Sequence, residues 1–97
     1  MDKRIRLNIL YDYYKDFLTQ KQQEYFEDYY CSNYSLGEIA DANNISRNAV
    51  HNQLKIVEEK LLEMESLLNL VSKKEKIVEL LNDKVENDLL EKVKELL

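Results

Sequence analysis

Proline and tryptophan are absent from the 97-residue sequence, and glycine, cysteine and histidine each occur once, as Gly37, Cys31 and His51. A β-rich chain of this size needs several tight turns, which draw on glycine and proline, so their scarcity excludes it. A single cysteine closes no intramolecular disulfide and builds no cysteine-based metal cage. No run approaches the roughly 18 apolar residues of a membrane span, and the opening Met1-Asp2-Lys3-Arg4-Ile5-Arg6 has no signal-peptide core. A cytoplasmic protein without membrane insertion is expected. No glycine-rich phosphate loop occurs, His51 has no carboxylate at a ligand-like spacing, and Cys31 has no base near it in sequence. The chain therefore reads as a non-enzyme with no cofactor and no metal.

What is present is an apolar content of 44% interleaved with 34% charged residues. That is too apolar and too regularly spaced for disorder, and it fits one small all-α domain. The net charge of −5 argues against a charge-driven nucleic-acid coat but leaves room for a local basic face. Residues 61–97 carry nine acids and six lysines, whereas residues 46–60 carry three bases (Arg47, Lys55, Lys60) and two acids. Any contact with DNA is expected from the middle of the chain.

Residues 5–16 place Leu7, Leu10, Tyr11 and Tyr14 on one helical face, closed by Phe17 and Leu18. Thr19-Gln20-Lys21-Gln22 is a capping box, and the helix behind it carries Tyr25, Phe26, Tyr29 and Tyr30 until Cys31-Ser32-Asn33 breaks it. Ser35-Leu36-Gly37-Glu38 is a second box, opening a short helix over about 36–42 that Asn43-Asn44 ends. Ser46 caps the next helix, with Ile45 and Val50 at its staple positions. From Arg47 no breaker occurs until Ser72, and Val50, Leu54, Val57, Leu61, Met64, Leu68 and Val71 form a heptad stripe. A helix over 47–71 is thus expected, roughly 37 Å long. Ser72-Lys73-Lys74-Glu75 resembles a further box, and Asn82-Asp83 divides the last segment into two helices. The expected organisation is a helix-turn-helix domain over 1–71 and a helical tail over 72–97, packed on the long helix or on a dimer partner.

Ser35 to Lys55 has the plan of a helix-turn-helix: a capped short helix, a tight corner, and a capped helix with polar first turns. Leu36, Ile39 and Ala40 face inward, and Val50 and Leu54 pin the second helix. Arg47, Asn48, His51, Asn52 and Lys55 then form one outward face and are the candidate nucleic-acid-binding residues. Arginine pairs with guanine and asparagine makes a bidentate contact with adenine, which suits base reading; an ordinary solvated face is the alternative. The tyrosines admit a stacking platform for single strands, but Tyr11, Tyr14, Tyr25 and Tyr29 fall at core spacing, and an aromatic core is favoured.

Leu18-Thr19-Gln20-Lys21-Gln22, Tyr34-Ser35-Leu36-Gly37-Glu38-Ile39-Ala40 and Ile45-Ser46-Arg47-Asn48-Ala49-Val50 resemble the last DNA-binding region of bacterial sigma factors. In that pattern Asn43 stands where an apolar residue is usual, and Asn44 where glycine is. Asn8-Ile9-Leu10-Tyr11-Asp12-Tyr13-Tyr14, Tyr29-Tyr30 and Ser35-Leu36-Gly37-Glu38-Ile39-Ala40 more closely resemble the YlxM family of small bacterial helix-turn-helix proteins. The resemblance covers residues 7–70. It implies a sigma-factor-like fold without a wing: a three- to four-helix core, a long fourth helix and a helical tail. It also implies a homodimer with a regulatory role in the signal recognition particle pathway.

Two functions follow as expectations. The first is a regulatory adaptor whose partners are signal recognition particle components, whether protein, RNA or receptor. The second is a sequence-specific DNA-binding transcriptional regulator using the helix that starts at Arg47. Dimerisation is expected through Leu54, Val57, Leu61, Met64, Leu68 and Val71, with Ile56, Leu62, Leu67 and Leu70 as additional apolar edges.

Overall fold

A computed structural model describes residues 2–97, and among them every regular element is helical. Helix α1 (Lys3–Tyr14) ends in a 3-10 turn (Lys15–Phe17); α2 (Gln20–Phe26) runs on into a π-helical turn (Glu27–Cys31). Then come α3 (Leu36–Asn43), α4 (Arg47–Leu68), α5 (Leu70–Leu81) and α6 (Asn87–Leu96). The Thr19 box forms as the sequence predicts: its hydroxyl accepts from the Gln22 amide at 3.1 Å, and the Gln22 side chain accepts from the Thr19 amide at 2.9 Å. Asn33 at φ 62° ends the π turn, and Asp83 at φ 61° lies between α5 and α6.

Two hydrophobic clusters hold the elements together, and α4 contributes to both. Its first half sends Val50 and Leu54 into a cluster with Tyr25, Ile39 and Ala40. Its second half sends Val57 and Leu61 into a cluster with Leu7, Leu10, Tyr11, Tyr14, Leu18, Phe26 and Val71. Tyr11 stacks on Phe26 with centroids 4.2 Å apart and planes within 12°. Tyr11, Tyr14 and Tyr25 are therefore core as expected, whereas Tyr29, expected there too, is only half-buried against the second cluster.

The long helix stops short of its expected end. α4 closes at Leu68, and Asn69 adopts a left-handed conformation (φ 54°, ψ 29°) that starts α5 at Leu70. Asparagine tolerates this region because its short polar side chain is compatible with positive φ. Ser72 lies inside α5 and caps nothing; the α5 amides are held from elsewhere. Glu65 accepts from the amides of Val71 (3.2 Å) and Ser72 (3.0 Å) and from the Tyr14 hydroxyl (2.6 Å), which itself accepts from the Leu70 amide (3.1 Å). Arg6 lies 3.5 Å from the same carboxylate and pairs with Glu75 at 2.8 Å.

This corner changes the fate of the heptad stripe. Leu54, Val57, Leu61 and Val71 are buried within the chain, mostly against α1 and α3, so the stripe is not free for a partner. Leu68 is exposed instead. What α4 leaves uncovered is its outer side, with Ile56, Leu62 and Leu67 exposed. The last helix is fastened by Leu90 in its buried face and by the Tyr13 hydroxyl, which donates to the Leu97 carbonyl at 2.8 Å.

Candidate nucleic-acid interface

The α3–α4 unit is set by its caps. The Ser35 hydroxyl accepts from the Glu38 amide, and the Glu38 carboxylate accepts from the Ser35 amide, both at 3.1 Å. Asn44 takes the left-handed conformation (φ 54°, ψ 42°), and the Ile45 amide reaches back to the Ala40 carbonyl at 3.1 Å. These bonds satisfy the orphan carbonyls at the end of α3 and turn the chain sharply. Asn43 ties α3 to α2, since its amide donates to the Ile39 carbonyl (2.7 Å) and its oxygen accepts from Lys21 Nζ (2.6 Å). The Ser46 hydroxyl accepts from the Ala49 amide at 3.1 Å and opens α4.

The five candidate residues Arg47, Asn48, His51, Asn52 and Lys55 all lie exposed on the first turns of α4. The face is nevertheless divided. Asn48 and Asn52 occupy its outer part, while His51 and Lys55 line a cleft. Arg47 folds back across α3: a Cβ on Gly37 would stand 3.0 Å from the Arg47 Nε and from a terminal guanidinium nitrogen. Gly37 thus serves close approach rather than an unusual backbone angle, since no glycine has positive φ. The salt bridges among the described residues engage Lys3, Arg6, Lys21 and Lys94, leaving Arg47 and Lys55 uncommitted.

The cleft, of about 420 Å³, runs between α4, the start of α1 and the π turn. Lys3, Tyr29 and Leu36 line it together with His51, Lys55 and Glu58. Glu58 accepts from the Tyr30 hydroxyl and lies 3.6 Å from Lys3 Nζ. Burial pushes the Tyr30 phenol well above its ordinary range, and the Glu58 carboxylate adds to the rise. Arg4 braces the cleft from behind: it donates to the Tyr29 carbonyl at 2.8 Å, and its guanidinium carbon lies 5.6 and 5.1 Å from the Tyr29 and Tyr30 ring centroids.

Lys3, Arg4 and Tyr29 were not among the residues expected at this face. Tyr29 and Tyr30 both line the cleft from the π turn, their ring centroids 5.0 Å apart. No periodicity in the sequence announces that turn. Tyr13 and Tyr30 direct their hydroxyls to Leu97 and Glu58 within the chain. Among the described residues no group of three or more His, Cys, Asp or Glu side chains could hold a metal ion, and no helix is long and apolar enough to cross a membrane.

Comparison with known proteins agrees with this geometry. A family model described as "Putative helix-turn-helix protein, YlxM / p13 like" matches residues 1–96. The UPF0122 protein OB1530 of Oceanobacillus iheyensis is 41% identical over 103 aligned positions, covering 99% of this chain and 98% of the relative. The UPF0122 protein BH2485 of Halalkalibacterium halodurans is 44% identical over 81 residues, 84% of this chain and 74% of its own. The capped α3–α4 corner and these matches lead to one assignment: the chain belongs to the UPF0122 family of YlxM-like helix-turn-helix proteins.

Proposed function

We propose that the chain is a nucleic-acid-binding adaptor with a regulatory role in the signal recognition particle pathway, and that Arg47, Asn48, His51, Asn52 and Lys55 form its contact face. The observation that carries the nucleic-acid part is the exposure of all five side chains on the first turns of a capped second helix. The pathway rests on the resemblance to the YlxM family. The purified full chain is expected to bind the signal recognition particle protein, its RNA or its receptor at physiological salt with no DNA present. Binding to none of these, with tight binding to one duplex DNA sequence, would reverse the ranking in favour of a transcriptional regulator.

That second reading is favoured by Asn48 and Asn52, whose outward amides suit bidentate contacts with adenine. Under it, Asn52→Ala reduces discrimination among sequences, and Lys55→Ala weakens binding to all of them and lowers the salt slope by about one unit. A homodimer belongs to either reading, since two-fold pairing is the commonest assembly and sets two recognition helices on one particle. The flank of α4 bearing Ile56 and Leu67, 46% and 68% exposed, is the contact surface that burial of the main stripe leaves. Light scattering of wild type and Leu67→Glu tests it: a wild-type monomer at high concentration would remove the dimer.

A further inference from the structure

The cleft beside α4 has features that a duplex-reading face does not need. A helix that reads a major groove is itself the convex partner: its side chains protrude to base edges on the groove floor and to phosphates along the rims. Here the surface is concave at about 420 Å³, within the roughly 300–1,000 Å³ of sites that enclose a small molecule. Its lining is aromatic and apolar at Tyr29 and Leu36 and cationic at Lys3 and Lys55, with His51 among them. Glu58 accepts from Tyr30 and lies 3.6 Å from the well-exposed Lys3, a solvent-screened pair that a phosphate can replace, and its carboxylate retains further lone pairs for a base N–H.

Charge supply points the same way. The salt-dependent part of duplex affinity grows with the number of phosphates that Lys and Arg neutralise. The chain has net charge −5, and the face of α4 offers only Arg47 and Lys55, of which Arg47 is folded over Gly37. A site so poor in cations gains more from stacking one base than from tracking a duplex backbone, because every base has a π face and an unpaired base can be splayed into a pocket.

We infer that this cleft takes one unstacked nucleotide of a loop or single strand, its base against Tyr29 and Leu36 and its phosphate between Lys3 and Lys55. The inference rests on the nucleic-acid reading of the α4 face and deepens it, naming unpaired strands as the substrate class. It also extends the contact surface from α4 to the start of α1. Lys3 is 77% exposed on its side chain, so reversing its charge leaves both hydrophobic clusters untouched.

The test uses the full chain and hairpins with 2-aminopurine in the loop, in RNA and DNA forms, beside a blunt duplex of the same stem. Variants are Lys3→Glu, Tyr29→Leu and Asn52→Ala, each checked for a wild-type circular dichroism spectrum. Loop hairpins are expected to bind at least about tenfold more tightly than the duplex, with 2-aminopurine emission quenched on binding. Lys3→Glu should weaken loop binding by about tenfold or more and duplex binding much less. Tyr29→Leu should abolish the quenching, and if it does not fold, the Lys3→Glu result decides alone. The RNA and DNA arms tell which strand carries the nucleotide, and preference for either loop over its duplex supports the cleft. Equal binding of loop and duplex, weakened by Asn52→Ala and unmoved by Lys3→Glu, would overturn the cleft and leave the α4 face standing. Binding to no nucleic acid would overturn both.

Discussion

Replacing Glu65 with alanine removes the carboxylate that holds the α4–α5 corner. Its side chain is only 12% exposed and accepts from the Tyr14 hydroxyl and the Val71 and Ser72 amides at 2.6, 3.2 and 3.0 Å. The two amides stand at a helix N-terminus and water can reach them once the carboxylate is gone, so their loss resembles removal of an N-cap, about 0.5–2 kcal/mol. The Tyr14 hydroxyl is a different case. Its residue is wholly buried, and losing a charged acceptor costs about 1.5–3 kcal/mol. Overlap between these effects gives an expected destabilisation of about 2–4 kcal/mol, a large share of the roughly 5–15 kcal/mol available to a domain. Urea unfolding followed by far-UV circular dichroism measures it, and native-state hydrogen exchange at Val71 and Ser72 shows where it acts. A double-mutant cycle with Tyr14→Phe should show coupling of about 1 kcal/mol or more. A loss below about 0.5 kcal/mol with unchanged protection at both amides would refute the corner as described.

Other outcomes follow from single side chains. The Tyr11 hydroxyl is buried with no hydrogen-bond partner, so Tyr11→Phe keeps the stack on Phe26 and should be neutral or stabilising by about 1 kcal/mol in the same urea assay; a loss of that size would contradict it. Burial raises the phenols of Tyr11 and Tyr14 above the ordinary 10.0, with nearby Glu27 and Glu65 carboxylates adding to the respective shifts. Folded protein therefore holds these protons more tightly than unfolded chain, and their contribution is complete below pH 10 and lost above it, by up to about 1.4 kcal/mol per pH unit for each. Stability profiles from pH 8 to 12 check this, and Tyr11→Phe should flatten the alkaline limb. Gly37→Ala should displace the Arg47 guanidinium, and its stability gain of about 0.4–1 kcal/mol is read by thermal melting, the displacement by the Arg47 Nε resonance.

The parts of this structure written in local chemistry were legible in the sequence. Thr19 and Ser35 with their partners three residues on, Ser46 before Arg47, and Asn44 at the corner each act through bonds spanning a few residues, and each stands where the sequence places it. The exposed face of α4 follows from the same helix, since positions opposite Val50 and Leu54 cannot be buried by α3. What stayed hidden depends on contacts across long separations. Asn69 rather than Ser72 ends α4 because Glu65 and Tyr14 cap α5 from outside it, a bond 56 residues apart in the case of Tyr14 and Leu70. The π turn at Glu27–Cys31 is settled by Arg4 and Glu58 meeting Tyr29 and Tyr30 from other helices. The same distance effect buried the heptad stripe: its spacing is equally suited to a partner chain and to α1, and only the fold shows that α1 takes it.

The central claim, that the chain binds nucleic acid through the first turns of α4, is tested most directly by mapping a titration on the isotope-labelled full chain. Signal recognition particle RNA, an unrelated hairpin and a duplex are added in turn, and amide and side-chain shifts are followed by NMR. The account predicts that the largest changes fall on Asn48, His51, Asn52 and Lys55, including the side-chain amides of both asparagines, and that Asn52→Ala with Lys55→Ala removes them. Saturable binding whose shifts lie on α5 and α6 and survive both substitutions, or no shift with any nucleic acid, would contradict it.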